Sequence, residues 1–282
     1  MRMHPVRDRL YVGRMTRLAF PDYLDHIRIE SARFRAALTD CDPAARVPAC
    51  PDWDAADLLW HLAEVQWFWS RVVAGRPAGP DELTHPERPA TYDGLLAAFD
   101  EYSAGLVATL EAADPAEAAW TWAPEQSVGF TFRRQAHEAL IHRLDAEQTA
   151  GTVTALDATL DPALATDGVQ ECLAVMYGGC PDWGRFTPDG AHAHFDLTDV
   201  GTSLWVSIGR FDGKDPDTDV VHDEPDLSVV DDPGTEPDVL VRATAAELDA
   251  WLWKRAPQEA VSVTGDDAAR AHLAGILGQG IN

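Results

Sequence analysis

The run Gln135-Ala-His-Glu-Ala-Leu-Ile-His-Arg-Leu-Asp145 sets out the chemistry of one helix and, with it, the fold of the N-terminal half. Glu138 and His142 are four residues apart, which is about 40° around an α-helix, so they share one face. His137 and His142 are five apart, about 140° around, and do not readily chelate one ion together. The spacing therefore selects Glu138 with His142 and sets His137 aside. Asp145, one turn beyond His142, is placed to accept a hydrogen bond from that ring and fix its tautomer. Glu138 has a second reading from its neighbours, as the buried ion-pair partner of Arg133, Arg134 or Arg143.

This helix is the fourth of four, spanning about residues 130–150 and closed by Gly151. The first runs over 22–39, with Tyr23, Ile27, Phe34 and Leu38 at helical spacing, Pro21 ahead of it and Asp22 as its side-chain cap. The second starts at the cap Asp54 and carries Leu58, Leu59, Leu62, Val65 and Trp69 to a stop at Gly75 and Pro77. A polar loop with Pro77, Pro80, Pro86 and Pro89 leads to the third, over 91–112, with Leu95, Leu96, Phe99, Leu106 and Leu110. Four such helices joined by loops predict an all-α four-helix bundle of about 130 residues.

His61 lies in the second helix, and Leu58, Leu62 and Val65 point the same way, so it faces the bundle interior. A lone interior His is most often a hydrogen-bonded core residue. Beside Glu138 and His142 it becomes the third ligand of a set. Two imidazoles and one carboxylate from facing helices make the open three-ligand arrangement of a catalytic zinc site, and bundle cores commonly host such sites. The donors suit zinc, iron or nickel; zinc is the expected divalent metal.

After about residue 160 the pattern changes. A helix over 162–176 precedes a Gly- and Pro-rich loop over 178–188, then alternating strands over 192–198 and 203–208 joined by a turn at 199–201. Residues 212–238 read mostly as acidic loop with short strands at 220–222 and 227–230. A strand over 239–243, a helix capped by Thr244 and reaching Lys254, a strand over 260–264 and a helix opened by Asp266 complete the chain. This mixture predicts a small α+β domain. The expected layout is an extension over 1–16, the helical domain over 17–155 and the α+β domain over 160–282.

Composition narrows the function. With 282 residues, 46% hydrophobic and ten Trp, the chain fills one core or two, which excludes overall disorder. No apolar run approaches a membrane span. The first fifteen residues carry four Arg but no apolar run, so they are not a secretory signal. They read as a disordered extension, or translation begins at Met15, the favoured reading. There are 22 basic and 47 acidic residues, which argues against nucleic acid as a partner. Up to Ala155 the counts are 15 and 23, and after it 7 and 24, so the acidic load sits on the C-terminal half as a solvated face. Cys41, Cys50, Cys172 and Cys180 show no C-x-x-C spacing, as expected of a reduced, cytoplasmic protein with incidental thiols. Cys-Pro-Asp-Trp occurs at both 50–53 and 180–183, with unmatched flanks, and is read as chance.

Three segments carry a resemblance. Val47-Pro-Ala-Cys-Pro-Asp-Trp-Asp-Ala-Ala-Asp-Leu-Leu-Trp-His61-Leu resembles the entry to the second helix in the mycothiol-dependent maleylpyruvate isomerase family. Ala136-His-Glu138-Ala-Leu-Ile-His142-Arg-Leu-Asp145-Ala-Glu resembles that family's metal-binding fourth helix. Ala243-Thr-Ala-Ala-Glu-Leu, Trp253-Lys-Arg255 and Val263-Thr-Gly265-Asp are similar to its second domain. The resemblance covers nearly the whole chain from about Arg17. It implies a DinB-like bundle, a C-terminal domain shaped like sterol carrier proteins, His61, Glu138 and His142 as metal ligands, and mycothiol as thiol cosubstrate. Arg255 matches a family position and is the candidate to hold an acidic substrate.

The resemblance does not fix the reaction, because members include isomerases and thiol S-transferases. In either case a metal-activated thiolate would add to a small electrophile, then leave again or keep the new carbon–sulfur bond. No residue pattern marks maleylpyruvate as the substrate, and 209–234 is long and acidic for an anion-handling enzyme. A rival reading is a metal or small-ligand binding protein without turnover, its pocket filled from Trp205, Trp251 and Trp253. A metal-dependent hydrolase ranks lower, since His137 is on the wrong face to serve as base. The His-x-x-x-His-x-Glu pattern of iron oxygenases on this bundle is absent.

Overall fold

A computed structural model describes residues 16–152 and 160–281. The expectations about the first fifteen residues, and the expected end of the helical domain at 155, lie outside these. The chain divides into two compact units, one over Leu18–Thr159 and one that takes in Leu160–Asn282.

The first unit is helical. Its long elements are α1 (Phe20–Thr39), α2 (Ala55–Gly75), α3 (Tyr92–Glu111) and α4 (Val128–Thr149), with a short hairpin of β1 (Arg46–Val47) and β2 (Cys50–Asp54) leading into α2. Helix α1 packs on α4 and α3, and α2 packs on α3 and α4. Phe34, Leu38, Leu58, Leu59, Leu62, Leu95 and Phe99 close one core, with the Phe34 and Phe99 rings 4.9 Å apart. The helix starts follow from local chemistry. Asp54 accepts from the Asp57 amide while the Asp57 carboxylate accepts from the Asp54 amide, so two first-turn donors are satisfied reciprocally. Thr91 and Ser127 cap α3 and α4 singly, their hydroxyls accepting from the Gly94 and Phe130 amides.

One cap differs from expectation. Helix α1 begins at Phe20 with Ala19 as its N-cap, and Asp22 sits inside the first turn. The reason is Pro21. A proline lacks only an amide that would be unpaired there anyway, so it belongs in the first turn and does not precede it. Asp22 then faces the positive end of the helix dipole.

Helix α4 is buried almost along its whole length, including Arg133, Arg134, Arg143, Asp145 and Glu147. The charges are paired inside. Arg143, 0% exposed, donates from Nε to Glu30 on α1 at 2.6 Å and from Nη1 to Glu147 at 2.9 Å. Arg33 on α1 reaches the same Glu147 at 2.9 Å. This network clamps α1 to α4.

The second unit is α+β. Its mixed sheet has the order β5-β4-β3-β6-β7, from β3 (Gly184–Leu197), β4 (Thr202–Lys214), β5 (Val221–Val230), β6 (Val239–Ala243) and β7 (Ser262–Gly265). The β3–β6 pair is parallel and the other pairs are antiparallel. Helices α5 (Pro162–Glu171), α6 (Ala245–Leu252) and α7 (Asp267–Leu277) complete it. Among the described helices, none is long and apolar enough to cross a membrane.

Strands β3 and β4 run further than the alternation predicts, pairing back to Gly184↔Gly213 through stretches read as loop. Glycine is what permits this. A Cβ on Gly184 would lie 2.0 Å from the Phe211 ring, and one on Gly213 would lie 2.9 Å from the Trp183 ring. These glycines make room for aromatics lying across the ribbon; they do not break it. Strand β5 is continuous where two short pieces were expected, because Pro225 sits on an edge strand whose missing amide costs no ladder bond. The helix expected over 162–176 is α-helical only to Glu171 and continues as a π-turn over Cys172–Tyr177, which brings the Tyr177 hydroxyl to the Leu252 carbonyl at 2.7 Å. Helix α6 stops at Leu252, two residues before expectation. Lys254 adopts φ +63° and the Arg255 amide closes back on the Ala250 carbonyl at 2.6 Å, a left-handed ending. A 3-10 turn at Gln258–Ala260 delays β7 to Ser262.

The buried network yields a prediction. Arg143→Ala removes the partner of the buried Glu30 and leaves an uncompensated charge inside the bundle, which should cost about 3–5 kcal/mol. Urea unfolding measures this, and a loss below about 1 kcal/mol would show that the network does not hold α1 to α4.

Candidate metal centre

Helix α2 carries His61 two turns after its Asp54 cap, and α4 brings up Glu138 and His142 from the facing side. Glu138 Oε1 lies 3.4 Å from His61 Nε2 and 3.1 Å from His142 Nε2. One ligand atom from each of the three residues falls within 4.8 Å of the other two, and this is the one such group among the described residues. His142 Nδ1 meets Asp145 Oδ2 at 3.0 Å, with Asp145 0% exposed. The other oxygen of Glu138 accepts from the buried Arg134 Nη2 at 3.2 Å.

Burial is graded across the cluster. The side chains of His142, Glu138 and His61 are 8%, 18% and 33% exposed. The deep end is braced by Asp145 and the open end is at His61. Trp53, from β2, lies over the two rings, 4.7 Å from His61 and 6.3 Å from His142 between centroids.

The electrostatics follow. Burial of Glu138 would push its pKa up, but hydrogen bonds from His142 and His61, and the charges of His142 and Arg134, outweigh it and hold the carboxyl well below its ordinary 4.5. Burial of His142 would push its pKa down, but the hydrogen bonds and negative charges of Asp145 and Glu138 raise it from 6.5 to about 9. Two imidazole nitrogens and one carboxylate oxygen, convergent and partly open, are the donor set of a divalent ion with free coordination positions.

His61, Glu138, His142 and Asp145 are thus brought together. His137 is not: it is fully buried with its ring 6.4 Å from Tyr23 of α1. The two sequence readings of Glu138 coexist, one on each oxygen, since Arg134 takes Oε2 while Oε1 faces the imidazoles. Arg143 goes instead to Glu30 and Glu147. Arg255 belongs to the second unit, beyond α6, where its Nη1 donates to the Trp253 carbonyl at 2.6 Å. Trp205 and Trp253 are buried there and Trp251 half-buried; Trp205 stacks on His194 at 4.4 Å. Trp53 was not anticipated. Its signal was present one residue before the capping Asp54, inside the Cys-Pro-Asp-Trp run that read as chance.

The family model for the mycothiol maleylpyruvate isomerase N-terminal domain matches residues 24–147, and that for the MDMPI C-terminal domain matches residues 163–272. The chain belongs to the mycothiol-dependent maleylpyruvate isomerase family. Two solved structures resemble it, one of the mycothiol-dependent maleylpyruvate isomerase and one of a histidine-to-alanine mutant of that enzyme. Their TM-scores are 0.59 and 0.58 at 12% identity, over 88% of this chain and 93% of each of theirs, so the fold is shared. No curated protein matches the chain. Within this family assignment the four clustered residues lie in the N-terminal domain match and Arg255 in the C-terminal one.

The shifted groups predict how the metal-free protein responds to pH. His142 has a raised folded pKa, so its stabilisation is complete below about 6.5 and is lost as pH rises through about 9. Glu138 has a depressed one, so its stabilisation is present above 4.5 and is lost as pH falls. In chelator-treated protein, the melting-temperature gap between wild type and His142→Gln should be widest between about pH 5 and 6 and close toward pH 9. A gap that stays constant from pH 5 to 9 would contradict the pairing.

Proposed function

We propose that His61, Glu138 and His142 hold one divalent metal, zinc by preference, and that the protein uses it to activate mycothiol toward a small electrophile. The observation that carries this reading is the convergence of His61 Nε2, Glu138 Oε1 and His142 Nε2 in one partly open cluster. The donor set fits the ion: the carboxyl is held ionised, and an ion would displace the proton that Asp145 and Glu138 hold on His142 up to about pH 9.

A free thiol has a pKa near about 8.5, and a dication beside it stabilises the thiolate at neutral pH. The protein's residues do the rest. Asp145 accepts from His142 Nδ1 and so leaves Nε2 as the donor atom facing Glu138. Arg134 neutralises the outer oxygen of Glu138, which keeps the centre from becoming too anionic to take a negatively charged sulfur. Exposure at His61 supplies the approach, while the buried His142 and Asp145 close the far side to water. The thiolate would add to a conjugated carbon, giving an enolate that expels it again after rotation in an isomerase, or that takes a proton from water and keeps the new carbon–sulfur bond in an S-transferase. Arg255 is the proposed cation for an acidic substrate. We read the helical unit as DinB-like and the second as sterol-carrier-like, with domain limits of 17–155 and 160–282, acting in the cytoplasm. All four cysteines are described and no disulfide links them.

Metal analysis by mass spectrometry tests the site. Native protein should carry about one ion per chain, and His61→Ala, Glu138→Ala and His142→Ala should each lose it, while Asp145→Ala should bind about 10- to 100-fold more weakly. Mycothiol-dependent turnover of maleylpyruvate or another activated alkene would then identify an enzyme. Stoichiometric binding without turnover would identify a carrier, and folded protein that takes up no added zinc would overturn the reading.

A further inference from the structure

The two imidazoles of the cluster are oriented by different means. His142 has the usual support of a histidine ligand: its Nδ1 is hydrogen-bonded to the buried Asp145 at 3.0 Å. His61 has none. Its hydrogen bonding among the described residues is the 3.4 Å contact of Nε2 with Glu138, and no carboxylate or carbonyl meets Nδ1. Its ring is also the more exposed of the two, so packing on all sides does not hold it either.

What touches the His61 ring is Trp53, with centroids 4.7 Å apart at 43°, and the ring of His142 at 4.7 Å and 73°. Trp53 is itself firmly placed. Strand β2 pairs with β1 on either side of it, Val47↔Cys50 and Arg46↔Asp54, and the next residue, Asp54, is locked in the reciprocal cap of α2. The α2 cap and the β1–β2 hairpin hold the backbone at Trp53 beside the helix that carries His61, and its side chain packs against the apolar core of the bundle.

We infer that Trp53 is the positioning residue for His61, doing with an aromatic face what Asp145 does for His142 with a carboxylate. The inference rests on the reading of the cluster as a metal site. It assigns Trp53 no contact with substrate. Its role is to restrict the His61 ring to orientations in which Nε2 points at Glu138 and His142, so the entropy of ordering that ring is met before an ion arrives.

Zinc affinity by chelator competition, with Trp53→Leu and Trp53→Phe beside wild type, tests this. Trp53→Leu should weaken binding by at least about tenfold, the range seen when a ligand's orienting partner is removed, and Trp53→Phe should restore most of it. Cobalt-substituted protein gives a readout that fold stability does not move: the visible absorption band should shift in Trp53→Leu and return in Trp53→Phe. If Trp53→Leu does not fold, Trp53→Met takes its place, with the same loss of zinc affinity and shift of the cobalt band expected. Wild-type affinity and an unchanged cobalt band in Trp53→Leu would overturn the assignment of Trp53. Failure of wild type itself to bind zinc or cobalt would instead overturn the metal reading.

Discussion

Burying a charged helix is the constraint around which the first unit is built. Helix α4 carries Arg133, Arg134, His137, His142, Arg143, Asp145 and Glu147 into the interior. Taking such groups out of water costs several kcal/mol each unless partners replace the solvent. The chain meets that cost on two faces. Toward α1, Arg143 is enclosed by Glu30 and Glu147. Toward α2, Glu138 is enclosed by Arg134, His61 and His142. The apolar cluster around Phe34, Leu59 and Phe99 supplies the driving force, and the polar pairs specify which helix faces which.

The candidate centre is a consequence of the second face. Residues 131, 135, 138, 142 and 145 follow one another at three- and four-residue steps, so Thr131, Gln135, Glu138, His142 and Asp145 form a polar stripe along α4. Thr131 Oγ1 and both amide atoms of Gln135 have no hydrogen-bond partner among the described residues. Such groups typically cost about 1–3 kcal/mol each, which the packing around α4 must offset. A bundle optimised for stability alone would place apolar side chains there. Asp145 at the deep end and Trp53 at the open end bracket the three donors, so the cluster is ordered from both sides.

The sheet of the second unit is built differently. It buries apolar side chains such as Val206, Ile208 and Phe195 and leaves its acidic residues at least partly exposed apart from the buried Asp226, while the helices of that unit bury Asp167, Glu171 and Asp249. Pairs such as Arg210–Asp223 and Arg185–Asp212 lie exposed on β4, β5 and β3. Exposed pairs of this kind contribute little to stability. The acidic stretch over 209–234 is thus mostly strand, and its carboxylates are solvated apart from that of Asp226, which burial pushes up to about 6.

Helix periodicity, the cap of α2 at Asp54 and the four-residue step between Glu138 and His142 are local properties, and the sequence by itself determined them. A helix repeats every few residues, so Leu95, Leu96 and Phe99, or Asp54 ahead of Leu58, declare an element and its start without reference to anything distant. The spacing likewise ruled His137 out of the cluster, and the structure places it against Tyr23. Family membership, too, was carried by short contiguous segments. Tertiary structure alone decided what depends on partners far along the chain. Which of three arginines meets Glu138, and that Trp53 covers His61, depend on how α2, α4 and the β1–β2 hairpin come together. The full length of β3, β4 and β5 was hidden for the same reason: Gly184, Gly213 and Pro225 read locally as breaks, and only the rings of Phe211 and Trp183 and the edge position of β5 turn them into strand residues.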